Sequence, residues 1–352
     1  MQNTKPLVTT IIPTYRRPEL LRRAIRSALS QDGVPSQVCV YDNASGDETS
    51  EVVAEIARRD PRVKYFCHST NIGAFANFQH GLQHVETPFF SFLSDDDVLL
   101  PGFYAAAMAG FQNYPDAMLW AGVTVRMDPA GQVYDARVER WPREGRYAGA
   151  EGVAQMTGGL APTWTGAVIR RDVLETVGLL DEAVGSPSDL DWMLRIAVRH
   201  PYIICKRPVA LFLIHPGSAS ETGPFSAVWP GWKKMIENVT SCGPLCAADR
   251  ERVAALLNAD ACRMLFRRAA GALAKSDYSY VQDAATVLSG HYDRYWPSTF
   301  LKILKIACSK IPPVQVLYTL GYRAAVRCAL GSRADLQRRH GGLAQYLKEQ
   351  TP

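Results

Sequence analysis

Three adjacent carboxylates, Asp95, Asp96 and Asp97, follow the apolar run Phe89-Phe90-Ser91-Phe92-Leu93. Like charges this close repel, so such a cluster suits a site where a positive charge gathers. A hard divalent cation of the Mg²⁺ type is held by one or two carboxylates plus substrate phosphates. A solvated turn, or a cap for a helix beginning near Pro101, is the competing reading. Asp42, in VYDNASGDET, closes an earlier apolar run. A carboxylate there suits a ribose hydroxyl or a base imino group, against the alternative of an Asx turn. Asp189 and Asp191, in SPSDLDWMLRIA, open a helical pattern. Either could remove a proton from an attacking hydroxyl as general base. Both also suit a helix first turn on charge grounds alone. His215, in IHPGSAS, follows the last apolar run of the first two thirds of the chain. A neutral imidazole there can complete a metal site with the acids, although a lone histidine is more often structural.

These residues need elements to position them. Val8 to Ile12 reads as a buried, β-branched strand and Pro18 opens a helix reaching about Ser30. Gln37 to Tyr41 is the next strand, and Asp47 or Thr49 caps a helix to about Arg59. Val63 to Phe66 is a third strand, Ala74 to Val85 a helix, and Phe89 to Leu93 a fourth strand. Strands alternating with helices predict a largely parallel sheet covered on both faces. Tyr15, Asp42, Asn71 and Asp95 to Asp97 then follow the C-terminal ends of successive strands, where such sheets bind ligands. Met118 to Val133 predicts a strand pair turning at Asp128 to Gly131, Thr163 to Ile169 a strand, Asp189 to Arg199 a helix, and Val209 to Ile214 a last strand. Beyond Pro230 the pattern is helical. The boundary is expected near 228, giving a catalytic part over 1–228 and a helical part over 229–352.

Composition is that of a globular protein with a sizeable core, with 47% hydrophobic and 21% charged residues among 352. No G-x-G-x-x-G or Walker pattern occurs, which argues against dinucleotide oxidoreductases and P-loop NTPases. The eight cysteines form no C-x-x-C pair and read as buried, reduced thiols. No apolar run reaches a membrane span. The first residues lack a signal-peptide pattern, so the expectation is cytoplasmic.

In order, IIPTYRRPELL, VYDNASGDET, STNIGAFANF, FLSDDDVLLPGF, GAVIRRDVLETVGLLDE, SDLDWMLR and IHPGSAS resemble the family 2 inverting glycosyltransferases of the GT-A fold. The resemblance covers roughly residues 7 to 220. It implies an α/β fold with a Rossmann-like, mostly parallel sheet flanked by helices, here with a helical C-terminal extension. It further implies a nucleoside-diphosphate sugar donor (a UDP-sugar favoured), a Mg²⁺ or Mn²⁺ ion, and a glycan or lipid-linked glycan acceptor. By motif, Pro13, Thr14 and Tyr15 would line the base pocket, Asp42 would hold base or ribose, and Asn71 and Gly73 would lie beside the nucleotide. Asp95 and Asp96 stand at the donor, Asp96, Asp97 and His215 at the metal, and Asp189 at the catalytic base with Asp191 as its substitute. The sequence departs from the family at Arg16, where an Asn is common and a phosphate contact becomes the expectation. It departs again at Ser94, where the first acid of D-x-D-D is usual, and at Ser188, where a Glu commonly precedes the base. A sugar-phosphate nucleotidyltransferase would need a Gly-rich, basic loop after the first strand, which PTYRRPE is not. A non-catalytic nucleotide-sugar-binding or scaffold protein is the alternative from another class.

Charge is unevenly spread. Residues 233–352 carry 18 Lys+Arg and 9 Asp+Glu, whereas residues 1–232 carry 21 and 25. Phe300, Leu301, Ile303, Leu304 and Ile306 interleave with Lys302, Lys305 and Lys310. That pattern fits a helix lying on an anionic membrane as well as a helical cap with a solvated basic face. No recognised motif supports nucleic-acid binding.

Overall fold

A computed structural model of the chain describes residues 5–215, 225–331 and 333–348. Pro216 to Ser220 of the IHPGSAS motif lie outside the described residues. The elements run β1 (Val8–Thr14), α1 (Pro18–Leu29), β2 (Ser36–Asp42), α2 (Thr49–Arg59), β3 (Val63–Cys67), α3 (Ala74–Gln83), β4 (Phe89–Phe92), β5 (Val98–Leu99) and α4 (Phe103–Asn113). They continue with β6 (Leu119–Met127), β7 (Val133–Asp135), β8 (Gly145–Tyr147), α5 (Gly149–Met156), β9 (Ala167–Arg170), α6 (Val173–Thr176), α7 (Ser188–Arg199) and β10 (Tyr202–Leu213). The helices α8 (Phe225–Ser241), α9 (Ala247–Ala274), α10 (Tyr278–Gly290), α11 (Tyr295–Lys310), α12 (Pro312–Gly331), α13 (Ala334–His340) and α14 (Gln345–Lys348) complete the described chain.

Local sequence accounts for several boundaries. Proline at the first turn of α1 costs no hydrogen bond, and Leu21, Ala24, Ile25 and Ala28 bury one face of that helix. Asp47 Oδ1 accepts from the Thr49 amide at 3.0 Å, starting α2. Gly73 precedes α3 at φ +86°, a conformation that favours glycine.

The strands form one sheet in the order β3-β2-β1-β4-β9-β6-β10-β5, with β7 beside β6 and β8 beside β10. The first four are parallel, as the βα alternation predicts, and Thr14 lies opposite Asp42. The second half is mixed. β9 runs antiparallel between β4 and β6, and β5 and β8 run antiparallel to β10. Of the strand expected over Thr163 to Ile169, Trp164–Gly166 is a 3-10 turn and only Ala167–Arg170 pairs. β10 is longer than expected and shifts register around Pro208, which has no amide to donate to a ladder.

The sheet separates two apolar cores. One lies under α1, α2 and α4, with Ile12, Ile25, Val53 and Phe103. The other contains Phe90, Phe92, Trp192 and Leu194 and continues into α8 and α9 through Met235, Val239, Val253 and Leu257. A third core, with Leu265, Val281, Leu288 and Leu301, joins α9 to α11. All eight cysteines are free, but Cys67, Cys246 and Cys328 are exposed, so the expectation of uniformly buried thiols is corrected. Past α12 the chain returns to the sheet. Gln337 accepts from the Val133 amide at 2.8 Å and donates to the Gly131 carbonyl at 3.0 Å, and His340 lies 2.6 Å from Glu139. No local pattern announced this clasp.

Asp191 belongs to the packing of this body. It is fully buried, pairs with Arg195 at 2.8 Å and accepts from Asn238 of α8 at 3.1 Å. The expectation made it a substitute for Asp189 as catalytic base; in the structure its oxygens face a guanidinium and an amide. Replacing Asp191 with Ala strands the Arg195 charge and should lower unfolding free energy by about 3–5 kcal/mol in urea titration. Gly231 of α8 is equally constrained, since a Cβ there would press into the Val184 carbonyl. Gly231→Ala should destabilise by roughly 2 kcal/mol or more, outweighing its ~1 kcal/mol gain in helix propensity. A neutral or raised melting temperature would contradict this packing.

Candidate active site

The four strand ends of the parallel half meet at one edge. Asp42, at the end of β2, is 2% exposed and engaged through both oxygens. Its Oδ1 accepts from the Ser45 amide at 2.9 Å and hydroxyl at 2.6 Å, and its Oδ2 from the Tyr65 hydroxyl at 2.5 Å. This differs from the expectation that Asp42 itself grips base or ribose. It holds the turn instead, and the turn holds Arg16. The Arg16 amide donates to Ser45 Oγ at 2.8 Å and its Nε to the Ser45 carbonyl at 3.0 Å. Arg16 sits at φ +55°, a strained position for a side-chain-bearing residue that these bonds secure. Its guanidinium lies 5.1 Å from the centre of the 39%-exposed Tyr15 ring.

The third strand end joins the second. Asn43 Nδ2 donates to Asn71 Oδ1 at 3.0 Å, and the same Asn71 oxygen accepts from the Gly73 amide at 2.9 Å. The Asn71–Gly73 loop is thus fastened beside Tyr15 and Arg16 through β2.

The three acids after β4 take different places. Asp95 Oδ2 accepts from Thr14 Oγ1 at 2.8 Å, and its Oδ1 from Arg17 at 3.2 Å. Burial and the neighbouring Asp96 push its carboxyl up to about 6, against the pull of Arg17 and Thr14. Asp96 Oδ2 receives Arg17 at 3.1 Å and lies 2.9 Å from His215 Nε2. Asp97 turns inward and is fully buried. Its Oδ2 accepts from Thr165 at 2.6 Å and its Oδ1 from the Leu213 amide at 3.0 Å. Burial holds its carboxyl well above the usual range. The expectation placed Asp97 at the ion; in the structure both its oxygens bond to the scaffold. Asp97 instead ties β4 to β10, and so places His215 opposite Asp96.

Among the described residues no group of three or more His, Cys, Asp or Glu side chains forms a cation cage. Asp96 and His215 still fit a divalent ion. They offer one carboxylate and one imidazole at a partly open edge, a protein donor set that leaves room for substrate oxygens. Arg17, whose side chain is 33% exposed, already brings positive charge to the same two acids. Sequence reasoning passed over Arg17, and the only signal for it was the Arg16-Arg17 doublet beside a strand end.

Asp189 lies in the first turn of α7, partly buried. Its Oδ1 accepts from the Leu190 amide at 2.8 Å. Desolvation raises its carboxyl above the ordinary value, opposed by that bond and by the Arg137 charge. Arg137 also lines a recess of about 10 Å³ with Thr124, Arg126 and Thr163. The Thr124 and Thr163 hydroxyls have no hydrogen-bond partner among the described residues. Val138, Ala161 and Pro162 complete the lining, and a recess of that size holds about one water or one hydroxyl group. None of these lining residues was singled out by sequence.

Known proteins resemble the chain. The GalNAc(5)-diNAcBac-PP-undecaprenol beta-1,3-glucosyltransferase of Campylobacter jejuni is 36% identical over 104 residues, which is 29% of this chain. The match spans 34% of that relative's length, about a third. A structure of S. aureus TarS in complex with UDP-GlcNAc superposes with a TM-score of 0.62 at 14% identity, covering 90% of this chain and 92% of that one. A mannosyltransferase from Pyrobaculum calidifontis, in complex with GDP-Man and Mn²⁺, gives a TM-score of 0.55 at 16% identity over 99% of this chain and 86% of its own. These two likenesses are of fold, the GT-A type. The sequence model of Glycosyl transferase family 2 matches residues 9–178, so this segment of the chain carries a family 2 glycosyltransferase domain.

Proposed function

We propose that this chain transfers a sugar from a nucleoside-diphosphate sugar, UDP-linked for preference, to a hydroxyl of a glycan or lipid-linked glycan. Transfer inverts the anomeric carbon and serves the assembly of a bacterial surface polysaccharide. The observation that carries this reading is the meeting of Asp96, His215 and Arg17 at the end of β4. That group has the charges to receive a diphosphate together with a Mg²⁺ or Mn²⁺ ion. The names of the similar proteins support it, one acting on an undecaprenol-linked glycan and others bound to UDP-GlcNAc or GDP-Man with Mn²⁺. The catalytic part is residues 1–228, followed by a helical part, 229–352. The enzyme would work at the inner face of the cytoplasmic membrane, where lipid-linked acceptors lie.

The residues divide the task. The exposed Tyr15 ring offers a stacking face for the base, with Arg16 alongside and Pro13 and Thr14 ahead of it at the end of β1. Asn71 and Gly73 close the rim. Asp95 anchors Arg17 beside the diphosphate. Asp96 and His215 would hold the ion, which when bound supplies positive charge to the departing diphosphate. Asp189 takes the acceptor proton, and its raised carboxyl suits that task near neutral pH. The acceptor hydroxyl is seated by the recess of Thr124, Thr163 and Arg137. The acceptor oxygen bonds to the anomeric carbon as the bond from that carbon to the diphosphate breaks. The bonding pair leaves with the diphosphate, so one displacement inverts the centre.

Thermal unfolding should be followed with UDP, GDP, dTDP and CMP, each with and without Mn²⁺. A ligand of the native state at a hundredfold excess over its Kd adds about 2.7 kcal/mol of apparent stability. One nucleotide should stabilise in a metal-dependent way, and silence from all of them would defeat the donor-site reading. Asp189→Asn should lower turnover by roughly 10²-fold or more while keeping that nucleotide response. Because the base works deprotonated and its carboxyl is raised, turnover should fall as pH drops through a limb above the ordinary aspartate value of ~3.9. Unchanged turnover in the variant would remove Asp189 from this role.

A further inference from the structure

The opposite faces of α11 and α12 differ sharply. One side of α11 is packed, with Ser298, Leu301 and Cys308 buried and Ser298 Oγ donating to the Ala285 carbonyl at 2.6 Å. One side of α12 is anchored to α9. Gln315 Nε2 donates to the Leu273 carbonyl at 2.9 Å and Tyr318 to the Ala270 carbonyl at 3.2 Å. The helical cap is therefore complete without the residues that face outward. Those are large and apolar: Trp296 is 78% exposed, Leu317 68%, Ile303 60% and Val316 57%. Trp296, Phe300 and Ile303 follow i, i+4, i+7 spacing and so share one stripe, with the first two rings stacked at 5.8 Å. Val316 and Leu320 of α12 continue at the same spacing into Arg323 and Arg327. Exposed apolar surface this contiguous marks a contact.

Charge selects the occupant. Between Trp296 and Arg333 the sequence holds no Asp or Glu, but it holds Lys302, Lys305, Lys310, Arg323, Arg327 and Arg333. A second copy docking by the same face would set these cations against each other. An anionic bilayer satisfies both features, since indole and aliphatic side chains enter the headgroup boundary while Lys and Arg meet lipid phosphate. Among the described residues no helix is long and apolar enough to cross a membrane. We propose that the outward faces of α11 and α12 together form an interfacial docking surface for anionic phospholipid. The inference rests on the proposed peripheral enzyme for its purpose and on these exposed side chains for its chemistry. The α13 clasp on β7 then holds the docked helices to the catalytic body.

The test is co-flotation of the full chain with vesicles of phosphatidylcholine alone, and of phosphatidylcholine mixed with an equal part of phosphatidylglycerol. The chain should float with the mixed vesicles, less with the neutral ones, and be released as salt screens the charge. The triple variant Trp296→Ser, Ile303→Ser, Leu317→Ser should bind the mixed vesicles at least about tenfold more weakly. A second variant, Lys302→Gln, Lys310→Gln, Arg323→Gln, should lose the preference for anionic over neutral lipid. None of the substituted positions is buried, so far-ultraviolet dichroism should be unchanged. Absence of binding by the intact chain, or equal binding by the triple variant, overturns the proposal. So does a concentration-dependent dimer in sedimentation that the triple variant abolishes, which would assign the face to a second copy. Nucleotide-dependent stabilisation is read on the same samples. Its retention without vesicle binding defeats the docking surface alone, and its absence with vesicle binding defeats the donor site alone.

Discussion

Three carboxylates on consecutive residues at the end of a buried strand must be kept from destabilising one another. At such spacing and low solvent access, unrelieved repulsion would protonate them or push the strand end into water. Here the turn after β4, closed by the Asp97 amide on the Ser94 carbonyl at 3.1 Å, sends each acid in a different direction. Asp95 goes to Thr14 and Arg17, Asp96 to Arg17 and His215, and Asp97 into the sheet, where Thr165 and the Leu213 amide receive it. One of the three is thus converted into scaffold, and the remaining pair shares Arg17 as its cationic partner at the crevice.

This arrangement dictates much of the architecture around it. Thr14 requires β1 beside β4, and Thr165 requires β9 on the other side of β4, entered through the 3-10 turn. The Leu213 amide and His215 require β10 to end at the same edge, which its parallel pairing with β6 provides. The antiparallel β9 is what lets the chain return to that edge between β4 and β6. The same logic links the outer loops: Asp42 organises Ser45, Ser45 fixes Arg16, and Asn43 fixes Asn71. Buried polar groups pre-position exposed ones, so binding a ligand meets a largely ordered rim.

The C-terminal helices extend the same body rather than hanging from it. Met235 and Val239 of α8 enter the core shared with Trp192, and Asn238 completes the buried Asp191–Arg195 pair. The clasp of Gln337 and His340 onto β7 and Glu139 lies next to Arg137, which lines the small recess beside Thr124 and Thr163. A surface on α11 and α12 therefore has a packed connection to the site through α9 and α8.

The sequence by itself determined the parallel half of the sheet, because β-branched runs alternating with amphipathic helices carry strong local periodicity. It also determined that Tyr15, Asp42, Asn71 and the Asp95–Asp97 cluster share one edge, since parallel strands put their C-terminal ends together. Only the tertiary structure decided which acids face the crevice. Asp97 and Asp191 carry the same side chain as Asp96 and Asp189, and no spacing rule distinguishes a carboxylate held by Thr165 or Arg195 from one held at the sheet edge by Arg17 and His215. Arg17 was likewise silent, because its partners lie far along the chain, as were Thr124 and Thr163, whose hydroxyls have no hydrogen-bond partner among the described residues. The antiparallel β9 and the C-terminal clasp arise from long-range pairing that local propensity does not encode. Membership in a strand or helix is a local property, whereas the environment of a polar group is set by whatever the rest of the chain brings against it.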